Sequence, residues 1–532
     1  MGFPTDRIKF GRGDAFFFFA ALVYVYANLF QLPFTPIYFD GDVMVPVSNA
    51  MRMLDGEVIY RDFFHMTTPG TEVFYETLFF FFGLKMWVIN LAVIMLAMAQ
   101  IGLIWYFSGK VLIGIVRFLP GAIFLVIGFR QFGIDGSYRL FSVIFGLAAV
   151  AVLFNKRSCR NLIIAGVLCG FSSFFGQQRG VVVIAGIAAF VIWENYKNAL
   201  NLKSLVKSGM ILAAAFGATM ALTQGYFLWQ AGVDNYYFSM VDFLRQNYRH
   251  DPLNNLSAYF LDVQSFGDYL RLFPPFSALS QWFRSSLSPL FYYALIPLIY
   301  FVFLLYRWRR PEISESEIYP KLLLIWFAGA FLAAGITAPT AIRLYQVSIP
   351  ALVLLVWFLQ QSRRINRLLP VAVVFLSLIG VAYIVQRQVT QKYFLDIPAG
   401  YSAFLSEATF HKYEWIGANT RPGDILYEPH HPNFYFPFHL RNPTGINMVR
   451  DSEFTPAFQI DSIVNALTAK RPRIIIWPKN WSVPAESRVP DDHVGPLWQF
   501  VKDNYEIRYV FKRSDDPMQA RYGDNEVWVL KP

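Results

Sequence analysis

About eleven stretches of this sequence are apolar for long enough to cross a lipid bilayer, which confines the chain to a small set of folds. They fall near residues 14–33, 86–108, 113–129, 139–154, 160–176, 180–195, 208–230, 287–306, 322–338, 343–360 and 368–387. A helix rises about 1.5 Å per residue and a hydrocarbon core is about 30 Å thick, so roughly 20 apolar residues span it. Inside the bilayer every backbone N–H and C=O must find its partner within the protein, which makes runs of this kind helices. Several runs are short, so their ends are soft.

The placement of Lys and Arg orders these runs. Arg7, Lys9 and Arg12 precede the first and Lys110 follows the second. Lys156, Arg157 and Arg160, then Lys197, Lys203 and Lys207, then Arg307, Arg309 and Arg310, then Arg363, Arg364 and Arg367 all fall on that same side. The excess of basic residues in cytoplasmic loops puts the amino terminus in the cytoplasm. The basic first residues before Phe16 to Phe30 have the look of a signal peptide, but no small-residue cleavage site follows, so the segment reads as an uncleaved first span. The formal net charge is +10, yet the cations sit in short clusters and form no basic stripe, which argues against a nucleic acid partner. With 55% hydrophobic and only 15% charged residues, the composition is that of an integral membrane protein, and the expected location is the plasma (inner) membrane. Cys159 and Cys169 lie about 15 Å apart along one helix, too far for a disulfide.

An odd number of spans places everything after about residue 388 outside the cytoplasm. Residues 34–85, 231–286 and 388–532 then face outward at length. In the last segment, helical stretches near 403–418, 457–470 and 494–504 alternate with strand-like runs at Ile425 to Tyr427, Arg473 to Trp477, Ile507 to Phe511 and Val527 to Leu530. The expected fold is an all-α polytopic membrane domain over residues 1–387, with an extracytoplasmic, periplasmic α/β domain over 388–532.

The first outer loop concentrates acids at a membrane surface. Asp40-Gly41-Asp42 follows the first span, an amphipathic helix from Met44 to Leu54 ends in Asp55-Gly56-Glu57, and Tyr60-Arg61-Asp62-Phe63-Phe64 leads to Thr67-Thr68-Pro69-Gly70. A carboxylate set beside aromatic rings suits proton abstraction from an acceptor hydroxyl. Two carboxylates two residues apart also suit a divalent cation that neutralises a phosphate leaving group. The plainer alternative is that Asp42 caps the following helix and Asp40 makes a turn.

An acidic pair after the first span, a helix ending in Leu-Asp-Gly, then Tyr-Arg-Asp-Phe-Phe and Pro-Gly before an aromatic-rich helix resembles the first loop of GT-C glycosyltransferases. The nearest branch is the group of protein O-mannosyltransferases and lipid A aminoarabinose transferases, in its bacterial form with an outer carboxy-terminal domain. The motifs that carry the resemblance sit mainly in residues 38–83. It implies a sugar moved from a polyprenyl-phosphate donor to an acceptor hydroxyl with inversion, the acceptor being a lipid, a glycan or a protein. The family's catalytic Asp falls on Asp40, with Asp42 beside it. Asp135, in Gly133-Ile134-Asp135-Gly136, matches a second acid of the family and would orient the acceptor or the base; a turn residue between glycines is the alternative.

One departure stands out: relatives often carry Lys-Pro-Pro where this chain has Thr67-Thr68-Pro69, so another cation must meet the donor phosphate. The candidates are Arg61, Arg130, Arg179 and Arg343. Gln178-Arg179 matches a Lys-Gln or Arg-Gln element of the group, and Arg343-Leu344-Tyr345 with Pro350 matches an Arg-Tyr element. An Arg fork holds phosphate by two hydrogen bonds; each Arg taken singly also fits snorkelling to lipid head groups.

Other signals are weaker. The aromatic loop 231–286, with Tyr236-Tyr237-Phe238 and Trp282-Phe283-Arg284, reads as an interfacial helix pair or a lipid groove. His430, His431 and His439 lack the spacing of a metal set. Phosphate loops, dinucleotide fingerprints and His-Glu-x-x-His are missing from the sequence, so nucleotide-driven work has no anchor here. The rival readings are a lipid-linked oligosaccharide polymerase or ligase, and a flippase or transporter. The latter calls for ionisable residues at mid-membrane and repeated halves, and this chain places its charges at the ends of the runs.

Overall fold

A computed structural model of the chain describes residues 10–129, 136–197, 201–251, 254–260, 263–264, 282, 287–450, 454–482, 493–512 and 524–532. Each of the apolar runs carries helix. Five helices are long and apolar enough to cross a membrane by themselves: Met86–Val111, Gln177–Lys197, Leu202–Ala231, Ser288–Arg309 and Leu369–Thr390. Gly114–Phe129, Tyr138–Val152, Cys159–Phe175, Tyr319–Ala334 and Ile349–Gln361 are shorter apolar helices. The first helix, Arg12–Leu29, ends earlier than the run that predicts it. Pro33 cannot extend a helix, and Phe30 and Gln31 pair instead with Pro36 and Thr35 in a short antiparallel ladder. The run at 343–360 is two helices, Ala341–Gln346 and Ile349–Gln361, and Phe124–Phe129 is a wide π-helical turn.

The chain divides into two compact units. The first comprises Met1–Asn28, Val93–Gly225 and Asn255–Arg387. Small residues set its helix contacts, because between apolar helices close backbone approach takes the place of a hydrophobic driving force. Gly166 and Gly170 repeat four apart on the Cys159–Phe175 helix. A Cβ on Gly166 would lie 2.7 Å from the Ala215 Cβ, and one on Gly170 2.5 Å from the Thr219 Cβ, so the Leu202–Ala231 helix rests directly on this stripe. At the start of the first helix, buried Asp14 accepts from Arg117 at 2.7 Å and from the Trp105 indole at 2.7 Å.

The second unit gathers Leu29–Ala92, Tyr226–Asn254 and Gln388–Pro532. Its centre is a four-stranded mixed sheet in the order Leu426–Tyr427, Ile474–Pro478, Asn525–Leu530, Tyr505–Phe511, with the first pair parallel and the others antiparallel. Alternation along Ile474–Pro478 sends side chains to opposite faces. Ile474 and Ile476 join a core with Val47, Ala50, Tyr75, Tyr413 and Phe436, while Ile475 and Trp477 join Ile460, Leu467, Leu497 and Trp528. Helices Glu407–Asn419, Ala457–Lys470 and Gly495–Asn504 complete this part. A second ladder, Tyr393–Leu395 with Ser402–Phe404, was not apparent in the sequence.

Candidate active site

The acidic loop is built from anchored backbone on both sides. The Leu29 carbonyl accepts from the Ile37 N–H at 2.9 Å and from Asn90 Nδ2 at 2.6 Å, and the Ile37 carbonyl takes the second Asn90 proton at 3.1 Å. The Tyr38 N–H donates to the Ala403 carbonyl at 2.8 Å. Beyond Tyr38 the chain comes to the surface: Asp40 and Asp42 are exposed, and Gly41 between them has φ +94°, a conformation that side chains disfavour. Asp42 contributes its carbonyl to the following helix, accepting from the Val45 N–H at 3.3 Å. The residue at the helix start is Val43, which offers no side-chain cap.

The Met44–Leu54 helix follows the sequence reading, and it buries a polar stripe as well as its apolar face. Met44, Val47 and Ala50 enter the core, while Ser48, Asn49 and Arg52 are also buried. Buried polar groups are costly unless paired. Ser48 Oγ donates to the Pro432 carbonyl at 3.2 Å. Arg52 donates to Glu57 through Nε at 2.8 Å, to the Thr444 carbonyl at 2.9 Å and to Asn447 Oδ1 at 3.2 Å, and its guanidinium lies 4.6 Å from the Phe63 ring centre. Asn447 donates to Asn49 Oδ1, and Asn49 Nδ2 meets His65 Nδ1 at 3.2 Å and Glu72 Oε1 at 3.4 Å. His65 Nε2 is 2.8 Å from Glu72 Oε1 and 2.6 Å from Thr67 Oγ1. Thr67 therefore lies in a buried polar network beside His65.

Behind the loop stands a second group that sequence reasoning missed. Tyr38 Oη donates to the Asn433 carbonyl at 3.2 Å, and Tyr413 Oη reaches both Tyr38 Oη and that carbonyl. Burial pushes both phenols well above their ordinary pKa, and the negative charges of Asp40 and Glu428 push the same way, so both hydroxyls keep their protons. Glu428 is itself buried; burial drives its pKa up to about 7, against the pull of Lys412 and of hydrogen bonds from Asn433 and Phe434. Its only sequence signal was a polar hexapeptide, Glu428 to Asn433, between a strand and an aromatic cluster. Burial lowers the His431 pKa, which Asp42 and Asp40 oppose and Arg450 reinforces. Arg450 Nη1 pairs with buried Asp251 Oδ2 at 2.5 Å.

The remaining expected site residues are placed as follows. Arg61 is exposed and clasps its neighbour Asp62 with both arms, Nε to Oδ1 at 2.9 Å and Nη2 to Oδ2 at 2.8 Å. In the first unit, the half-buried Arg179 donates through Nη1 to the Arg139 carbonyl and to Ser142 Oγ at 3.3 Å, and its Nη2 lies 3.5 Å from Gln346 Oε1. That last contact joins Arg179 to the short helix holding Arg343 and Tyr345. Arg343 Nη1 donates to the Ala338 carbonyl at 3.1 Å, Tyr345 is buried against Phe124 and Tyr292, and Gln178 is exposed. Asp135 and Arg130 lie outside the described residues. Among the described residues, no group of three His, Cys, Asp or Glu is disposed to hold a metal ion; His439 Nε2 is engaged with the Leu84 carbonyl at 3.2 Å.

Bundled apolar helices, together with an acidic loop anchored in a sheet-containing unit, define the class as a polytopic membrane protein. Comparison with solved structures gives the fold. ArnT from Cupriavidus metallidurans bound to undecaprenyl phosphate matches at a TM-score of 0.57 and 12% identity, over 97% of this chain and 97% of that one. The same protein in the apo state matches at 0.55 and 13%, again over 97% of each chain. The apo oligosaccharyltransferase of Archaeoglobus fulgidus matches at 0.50 and 10%, over 95% of this chain and 73% of that one. The chain therefore has the GT-C fold. No protein-family model matches it, and neither does any curated protein.

Proposed function

We propose that the chain is a membrane glycosyltransferase that moves a sugar from a polyprenyl-phosphate donor to an acceptor hydroxyl on the extracytoplasmic face, with inversion. The observation that carries this is the presence of two exposed carboxylates on an anchored loop within a fold that matches ArnT over nearly its whole length. ArnT is a GT-C lipid A aminoarabinose transferase, and its matched structure holds undecaprenyl phosphate.

Asp40 acts as the base. It takes the proton of the acceptor hydroxyl as that oxygen attacks the anomeric carbon, and the bond to the polyprenyl phosphate breaks with its electron pair on the phosphate. Asp42 and Asp135 orient the acceptor or the base. Arg61, Arg179 and Arg343, with Gln178 and Tyr345, are the residues we assign to the donor phosphate, where cationic forks stabilise the leaving charge. A divalent cation at Asp40 and Asp42 would supply the same charge stabilisation.

A second reading has its own support. The Archaeoglobus fulgidus oligosaccharyltransferase matches 95% of this chain, so an oligosaccharide donor is the alternative to a single sugar. The test presents purified protein in detergent with labelled polyprenyl-phosphate donors carrying one sugar or a short glycan, and follows label into lipid, glycan and peptide acceptors. Transfer from the one-sugar donor is the expected result. Transfer from the glycan donor alone selects the second reading, and label left wholly on the carrier in every combination contradicts both.

A further inference from the structure

Between the two carboxylates lies a glycine, the residue type with the greatest backbone freedom, and something must hold it. Gly41 has no side chain and a positive φ. Its N–H donates to Asn433 Oδ1 at 3.0 Å, a contact made across 392 residues of sequence. That N–H belongs to the peptide plane whose other end is the Asp40 carbonyl. The bond therefore restrains the Asp40–Gly41 peptide plane, and through ψ of Asp40 the direction in which the Asp40 Cα–Cβ bond leaves the backbone. Two more bonds tie the flanks of the loop to the same stretch, from Tyr38 Oη to the Asn433 carbonyl at 3.2 Å and from Ser48 Oγ to the Pro432 carbonyl at 3.2 Å.

Asn433 is itself held in one orientation. Its N–H donates to Glu428 Oε2 at 3.0 Å, and its Nδ2 lies 3.4 Å from Glu428 Oε1. Because the Gly41 N–H can only donate, the Asn433 amide presents its oxygen to Gly41 and turns its nitrogen to Glu428. Glu428 is fixed in turn: its N–H donates to Tyr435 Oη at 3.1 Å. The chain of contacts runs from Glu428 through Asn433 to Gly41.

We propose that residues 428–433 form a clamp that aims the Asp40 carboxylate, with Asn433 as the positioning residue. This gives the carboxy-terminal segment a task in the reaction beyond covering it, and it rests on Asp40 as the base. Asn433 touches neither sugar nor phosphate in this scheme; it acts through the Asp40–Gly41 peptide. Glu428 is the titratable member of the clamp. The groups facing it are Lys412 and Tyr413 of the Glu407–Asn419 helix, Tyr435, and Tyr38 of the first loop.

The test uses the full chain in detergent with Asn433→Ala and Asn433→Asp, read by hydrogen exchange and by kinetics. In Asn433→Ala, backbone exchange of the peptide containing Gly41 is expected to speed up roughly tenfold, as for one net hydrogen bond lost. The kcat is expected to fall on the order of 100-fold, the scale of a misplaced catalytic group, while the donor KM stays within about twofold. Asn433→Asp restores an acceptor for Gly41 but sets a second carboxylate against Glu428. That variant is expected to recover activity at pH 6, where Glu428 holds its proton and can donate to the introduced carboxylate, and to lose that recovery as the pH rises and both carboxyls ionise. Unchanged exchange at Gly41 in Asn433→Ala overturns the clamp. Faster exchange with an unchanged kcat overturns the positioning task, as does an Asn433→Asp variant whose pH profile matches that of Asn433→Ala. Activity retained by Asp40→Asn sinks the base assignment instead, and leaves the exchange result standing.

Discussion

Glu428 shows how a single residue can tie chemistry to stability. A buried carboxyl whose pKa is raised from 4.5 to about 7 holds a proton in the folded protein that the unfolded chain has already released. Stability therefore falls as pH rises from about 4.5 to 7, by on the order of 3 kcal/mol across the window. Glu428→Gln removes that slope, because an amide does not titrate. Its apparent melting temperature relative to the unaltered protein is expected to be higher at pH 8 than at pH 5, measured in the same detergent. A difference that stays flat with pH contradicts the raised pKa. Arg61 illustrates the opposite situation: its fork is already filled by Asp62, whose pKa it holds down, so binding a donor phosphate requires that exposed pair to open.

At the scale of elements, the Gly166 and Gly170 stripe controls how the Cys159–Phe175 and Leu202–Ala231 helices meet. Gly170→Leu puts a branched side chain where a Cβ alone would stand 2.5 Å from Thr219. Such overpacking costs about 1–3 kcal/mol or more, so the variant is expected to melt earlier and to give a smaller monodisperse peak in size-exclusion chromatography. Gly209→Leu, on the other helix and with open space around its Cβ, serves as the control that stays near wild type. Elements of this kind are the ones that a sequence displays. Apolar length marks a span, and the runs Arg473 to Trp477 and Val527 to Leu530 differ from the observed strands Ile474–Pro478 and Asn525–Leu530 by one or two residues. The Tyr393–Leu395 ladder escaped because three residues carry too little periodicity, and the end of the first helix shifted because pairing of Phe30 with Pro36 is a tertiary fact.

For the whole molecule, the distribution of Lys and Arg makes a topological claim that labelling can check. Cys159 is exposed and follows the basic cluster assigned to the cytoplasm, whereas Asp424 is exposed in the carboxy-terminal segment assigned to the outer side. In intact cells with a permeable outer barrier, a membrane-impermeant maleimide is expected to label an Asp424→Cys variant and to spare Cys159; the reverse pattern inverts the topology. Asp40 and Asp42 were legible as candidates because they crowd, with Asp55, Glu57 and Asp62, into the segment that follows the first apolar run. Glu428, Asn433 and the His65–Glu72 pair were not, since their meaning comes from contacts with distant or buried partners: Gly41 for Asn433, Asn49 and Thr67 for His65.

Asp40 remains the residue on which the proposed chemistry depends. The most direct measurement is single-turnover transfer of labelled sugar from polyprenyl phosphate by purified wild-type and Asp40→Asn protein, with donor binding and melting temperature followed in parallel. Loss of a general base costs about 100- to 10,000-fold. A fall of that order is expected, with donor affinity and melting temperature close to wild type. Transfer by Asp40→Asn at the wild-type rate contradicts the assignment of Asp40 as the base.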